Sequence, residues 1–275
     1  MSLRKTTGSI VCPNCGRLVS VTAKQCISCG RRNPGLWGYG PLLQQLLGDG
    51  SMISLVTGAC TILYVMGLLI DPSAILRPQG LLGFLSPSMQ ALDKLGMTGA
   101  FAMSEGRWWT LITANYLHGG LLHIFFNMMW LRQLGVMVEH FYGSARSFVI
   151  FTVAGVVGFW ASDLVNIPFT VGASGSIFGL LGALIYYGRR RGGTFGAAVY
   201  RQVGTWTLVL FAFGFLMPAV NNIAHAGGFI GGLSAAMVLG FHEIRRESSV
   251  HRLTAIATGL LTLASFGLAL YTWLK

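Results

Sequence analysis

Polar positions are rare along this chain, and the apolar runs between them are long. The first spanning run covers residues 51–70, SMISLVTGACTILYVMGLLI. An α-helix needs roughly 20 residues to cross a ~30 Å hydrocarbon core. Further runs near 116–138, 148–167, 173–188, 205–221, 225–241 and 253–274 bring the predicted spans to seven. The run 173–188 is short and rich in glycine, which predicts a helix enclosed by the others. The connection 71–108 holds Pro72, Pro78 and Pro87 with Leu81, Leu82, Phe84 and Leu85. A loop of this length is unusual unless it is functional, and its apolar content predicts that it dips into the membrane interface. No internal repeat or low-complexity tract interrupts the pattern.

Composition agrees. Of the 275 residues 53% are hydrophobic and 10% charged, with a mean hydropathy of +0.63; soluble domains carry about 25% charged residues. The net charge of +11 does not form a nucleic-acid patch, because the cations are scattered at the ends of apolar runs. There they meet anionic headgroups and orient the chain. Arg4, Lys5, Arg17, Lys24, Arg31, Arg32, Arg132, Arg146, Arg189, Arg190, Arg191, Arg201, Arg245, Arg246 and Arg252 fall on the N-terminal side. Only Arg77, Lys94, Arg107 and Lys275 fall on the other. The expected topology is a cytoplasmic N-terminus and, after an odd number of spans, an external C-terminus. No signal peptide is evident in residues 1–35.

Three polar clusters then fall at the outer ends of predicted spans. His123 and Asn127 lie one turn apart on one face of the second, after His118 and the pair Gly119-Gly120. Gly172-Ala173-Ser174-Gly175 opens the fourth, and Ala224-His225-Ala226-Gly227-Gly228 opens the sixth. Polar side chains at bilayer depth are expensive unless used or paired. Hydrogen bonding between helices would account for His123 or Asn127 alone. Beside Ser174 and His225, they suit a nucleophile, its base and donors to an oxyanion. Gly175, Gly179, Ala224, Gly228, Gly232, Ala236 and Gly240 form small-residue stripes that let two helices approach closely. No HExxH occurs, paired intramembrane aspartates are missing, and Asp163 is the lone acid of the third span.

The pattern His118…His123…Asn127, Gly172-Ala173-Ser174-Gly175 and Ala224-His225…Gly228…Gly232 resembles the rhomboid intramembrane serine proteases over about 51–241. The resemblance implies an all-α polytopic membrane protein, a six-helix bundle around a short central helix, here with a seventh C-terminal helix at 242–275. It implies a Ser174–His225 dyad without aspartate, and an oxyanion hole from His123, Asn127 and the Ser174 backbone N–H. His118, Gly172 and Phe178 are expected as support. Two positions depart from the family: Trp109-Thr110 stands where Trp-Arg is frequent, and Phe178 where a tyrosine often packs on the histidine. The implied activity is endopeptidase cleavage of transmembrane substrates near the outer leaflet of a bacterial plasma membrane. A silent relative that chaperones membrane helices is the alternative, and a transporter lacks the expected inverted repeats.

Residues 1–35 carry Cys12-x2-Cys15 and Cys26-x2-Cys29, each knuckle followed by glycine. Four thiolates at this spacing predict a structural zinc ribbon, tethered by 36–50; two disulfides are disfavoured in a reducing cytoplasm. Cys60, inside the first span, reads as a small core residue.

Overall fold

The computed structural model describes residues 4–12, 15–40, 51–76, 83–217 and 220–275. Arg77, Pro78, Leu81, Leu82 and the tether residues 41–50 lie outside the described residues.

The chain divides into two units, 1–55 and 56–275. In the first, strands β1 (Ser9–Val11) and β2 (Leu18–Ser20) form an antiparallel hairpin that pairs Ile10 with Val19. Its buried centre is Cys12, Val19 and Cys26, with Ile10, Ala23 and Cys29 packed against it. So small an apolar core rarely holds a domain of about 40 residues without a disulfide or a metal.

The second unit is helical. Among the described residues six helices are long and apolar enough to cross a membrane: α1 (Met52–Ile70), α5 (Leu121–Tyr142), α6 (Ser144–Leu164), α8 (Gly193–Leu216), α9 (Asn222–Leu239) and α10 (Ser249–Leu274). A further helix, α7 (Ser174–Arg191), ends in Arg189-Arg190-Arg191, and every residue from Gly175 to Leu184 is buried. A helix buried all round needs neighbours on every face, and α7 packs against α5, α6, α8 and α9. The expectation of an enclosed central helix is met. Three short helices, α2 (Met89–Lys94), α3 (Ala100–Ser104) and α4 (Thr110–Thr113), lie in the long first connection. That connection is therefore folded, and Leu92, Leu95 and Met97 are buried in an apolar cluster with Leu117.

Helix boundaries shift from the hydropathy pattern for identifiable reasons. α5 starts at Leu121 rather than near 116, because Gly119 and Gly120 precede it, and it continues to Tyr142. Gly143, at φ +85°, then breaks it from α6, a backbone conformation that costs glycine nothing. α8 opens twelve residues before the apolar run at 205, carrying Arg201 within it; a long basic stem lets its charge reach the aqueous edge.

One cation counted on the N-terminal side does not meet the headgroups. Arg146, assigned above to the headgroup side, is fully buried in the first turn of α6. Its Nη1 donates to the carbonyls of Gly240 (2.9 Å) and Arg245 (2.8 Å), and its Nη2 to His242 Nδ1 (3.2 Å). Nε donates to the Tyr142 carbonyl. The guanidinium fork thus ties the α5–α6 corner to the segment linking α9 with α10, instead of facing lipid.

Candidate functional site

Ser174 is the first residue of α7, so its backbone N–H has no intrahelical acceptor and the positive end of the helix dipole faces the same space. His225 lies in the first turn of α9 and is buried. Its Nε2 stands 2.9 Å from Ser174 Oγ. Fifty-one residues apart in sequence, the two meet because α7 and α9 touch backbone to backbone. A Cβ on Gly228 would lie 2.1 Å from the Gly175 carbonyl oxygen, and one on Gly232 would lie 2.2 Å from that of Gly179. The small-residue stripe is thus the contact that brings the pair together.

For Nε2 to accept the serine proton, Nδ1 must carry the ring's hydrogen, and Nδ1 faces no acceptor among the described residues. No carboxylate among the described residues bonds the ring. Aromatic packing orients it instead: Phe178 stacks on it, centroids 4.2 Å apart and 15° between planes, and Phe211 of α8 meets its edge at 6.4 Å. Phe211 tilts in turn onto Phe178 at 4.5 Å.

His123 approaches from α5. The Gly119 N–H donates to its Nδ1 at 3.3 Å, which leaves the hydrogen on Nε2. A Cβ at Gly172, whose φ is +129°, would lie only 2.6 Å from that Nε2. Glycine is therefore required there for the imidazole to reach the Ser174 end of α7. Asn127, buried one turn on, donates one amide hydrogen to the His123 carbonyl at 2.8 Å; an amide nitrogen has a second to offer. His118 is buried in the turn before α5, its ring edge-to-face with His123 at 5.1 Å. His118, His123, Gly172, Ser174, Phe178 and His225 thus meet at one end of the bundle, with Asn127 one turn further along α5.

Other residues support this end and were invisible as site residues in sequence. Ser176 Oγ donates to Asn115 Oδ1 (2.9 Å), while Asn115 Nδ2 donates to the Leu111 carbonyl (2.8 Å). Asn221 Oδ1 caps α9 by accepting from the Ala224 N–H, and its Nδ2 donates to Ser162 and Thr170 hydroxyls. Each is a neutral amide beside a helix end, a signal too common to single out. At the Trp109-Thr110 departure, Thr110 Oγ1 donates to the Arg107 carbonyl, and Arg107 pairs with Asp93 and Glu105. The first connection is anchored there through Arg107.

In the N-terminal unit the two knuckles repeat one bonding pattern. The Cys12 N–H donates to the Arg17 carbonyl and the Gly16 N–H to that of Cys12; Cys26, Arg31 and Gly30 repeat both bonds. Gly16 and Gly30 carry φ of +72° and +75°. The four sulfurs lie within 4.8 Å of one another, with Cys12–Cys29 and Cys15–Cys26 at 3.7 Å. A disulfide needs about 2.05 Å, whereas sulfurs about 2.3 Å from a tetrahedral ion sit roughly 3.8 Å apart. The four cysteines fit a metal ion.

A membrane bundle with a serine and a histidine meeting at the head of its central helix defines a class of polytopic helical proteins. Residues 105–241 match the family model described as the Rhomboid domain, and the chain carries a domain of the rhomboid family. It is 36% identical to the rhomboid protease GluP of Bacillus subtilis (strain 168), over 64% of this chain and 36% of that protein. It is 36% identical to RHOMBOID-like protein 5 of Arabidopsis thaliana, over 56% of this chain and 52% of the relative. A further Arabidopsis relative, Inactive RHOMBOID-like protein 8, is 31% identical over 53% of this chain and 42% of its own length. The chain thus spans between about a third and about half of the length of these relatives.

Proposed function

We propose that this protein is an intramembrane serine endopeptidase that hydrolyses peptide bonds of transmembrane substrates near one membrane face. The observation that carries the reading is the 2.9 Å contact between Ser174 Oγ and His225 Nε2 on two helices in glycine contact. His225 takes the hydroxyl proton as Ser174 Oγ attacks the scissile carbonyl carbon. The carbonyl oxygen becomes an oxyanion, met by the Ser174 N–H, His123 Nε2–H and the second hydrogen of the Asn127 amide. His225 then gives its proton to the departing amine nitrogen. Water, deprotonated by the same imidazole, attacks the acyl carbon and releases Ser174. Phe178, stacked on the imidazole, and Phe211, against its edge, hold the ring plane through both proton transfers.

The charge distribution supports a cytoplasmic N-terminus, an external active site and a seventh span that leaves the C-terminus outside, in a bacterial plasma membrane. We divide the chain into a ribbon (1–35), a tether (36–50), a catalytic core (51–241) and an added helix (242–275). The metal of the ribbon is proposed to be zinc, held by Cys12, Cys15, Cys26 and Cys29. It would supply folding energy to a domain with a minimal core.

A silent relative that binds membrane helices is the second reading, favoured by the resemblance to a protein named inactive. Purified protein in liposomes, with a helix-destabilised single-span reporter, distinguishes the two. Ser174→Ala and His225→Ala should each abolish cleavage with the fold retained, and a fluorophosphonate should label Ser174. Normal turnover in Ser174→Ala would end the peptidase reading.

A further inference from the structure

Away from the serine and histidine, a groove of about 210 Å³ opens between α1, the end of α2 and α10. Its walls are Leu63, Leu95, Phe266 and Leu270, and at its head Lys94 Nζ sits 5.5 Å from the Trp273 ring centroid. We propose that this groove is a site for one anionic phospholipid, with an acyl chain along the apolar walls and its phosphate on the Lys94 ammonium.

Three observations argue for that occupant. First, Lys94 is exposed and takes part in none of the four ion pairs among the described residues. The carboxylate of the adjacent Asp93 pairs with Arg107. The Lys94 charge is therefore left for a group outside this set, and a lipid phosphate supplies the opposite sign. Second, Trp273 closes the last helix, and indole rings at helix ends mark the headgroup level of a bilayer. The cation and the aromatic ring thus share the depth at which a phosphate sits, with the slot running inward from them. Third, the slot is lined by hydrocarbon below its head, so an acyl chain meets no polar group there.

The back wall gives the site a consequence. Leu95 belongs to the buried cluster with Leu92, Met97 and Leu117, against which Leu63 and Val171 pack. Leu117 precedes His118, and Val171 precedes Gly172. A lipid in the groove braces the cluster on which both of these segments rest. The site itself is defined by lipid selectivity, independently of any peptidase activity.

The test uses the full chain, delipidated in mild detergent and titrated with phosphatidylglycerol or phosphatidylcholine under native mass spectrometry. Wild type should hold one phosphatidylglycerol in preference to phosphatidylcholine, with a higher melting temperature when it is bound. Lys94→Gln, a surface change, should weaken phosphatidylglycerol about fivefold, what one interfacial cation contributes, and leave phosphatidylcholine unchanged. Leu270→Trp, which fills the groove from its exposed side, should weaken both lipids. Equal retention of the two lipids by wild type, or unchanged selectivity in Lys94→Gln, would overturn the proposal. So would a photocrosslink from position 270 that captures a second copy of the chain, or a single-span peptide, in place of lipid.

Discussion

Gly228→Ala adds one methyl group to the helix contact that sets the Ser174–His225 distance. The added Cβ would lie 2.1 Å from the Gly175 carbonyl oxygen, 2.7 Å from its carbon and 3.0 Å from its Cα. These are backbone atoms in the first turn of α7, so no side chain can rotate away. Real Cβ atoms essentially never approach closer than 3.0 Å, so the helices must part by about 1 Å. His225 is three residues before Gly228 on the same helix and moves with it. Its 2.9 Å contact with Ser174 would stretch to about 4 Å, beyond hydrogen-bond reach. A displacement of this size is expected to lower turnover about 10²-fold, while overpacking costs roughly 1–3 kcal/mol of stability. Turnover of the liposome reporter, read beside thermal unfolding, separates the two effects. Gly58→Ala is the control, because nothing lies within 4 Å of its added Cβ, and it should leave turnover unchanged. A folded Gly228→Ala protein with wild-type turnover would refute the argument that glycine contact sets the dyad.

Other outcomes follow from the same geometry. His123→Ala or Asn127→Ala should lower turnover by about 10²–10³-fold, less where the remaining donors compensate; an effect confined to apparent affinity would count against the oxyanion role. The four-cysteine unit should hold one zinc per chain, released by Cys12→Ser, while cleavage of a simple reporter stays measurable without residues 1–35; metal analysis finding no zinc in reduced protein would remove the ribbon. Burial, and after it the charge of Arg146, hold His242 below the usual imidazole range. A histidine lowered in the folded state contributes stability above its unfolded pKa of about 6.5, lost as pH falls below it. Unfolding temperature should therefore drop on acidification below that pH, and drop less in His242→Gln; identical slopes would show that another group carries the effect.

Much of this protein is local and could be read along the chain. Membrane insertion follows from runs of hydrocarbon side chains, because a bilayer demands about 20 in a row whatever the fold. The cysteine spacing announces a metal-sized knuckle, since two thiolates three residues apart already curl around one point. Ser174, His225, His123 and Asn127 stood out because a polar group at bilayer depth needs a reason. What tertiary structure decided is everything that depends on partners distant in sequence. Phe211 is one more aromatic in an apolar helix until α8 brings it to the His225 edge. Asn115 meets Ser176 across 61 positions, and the stripe at Gly228 and Gly232 has meaning only against the backbone of Gly175 and Gly179. Arg146 most clearly marks the boundary between the two. Charge counting put it with the headgroup cations, because composition weighs a charge by where the apolar run ends. The fold instead offers its buried guanidinium four acceptors, at Tyr142, Gly240, Arg245 and His242. Desolvation of a cation is overcome by hydrogen bonds that exist only after α5, α6 and the segment beyond α9 have met.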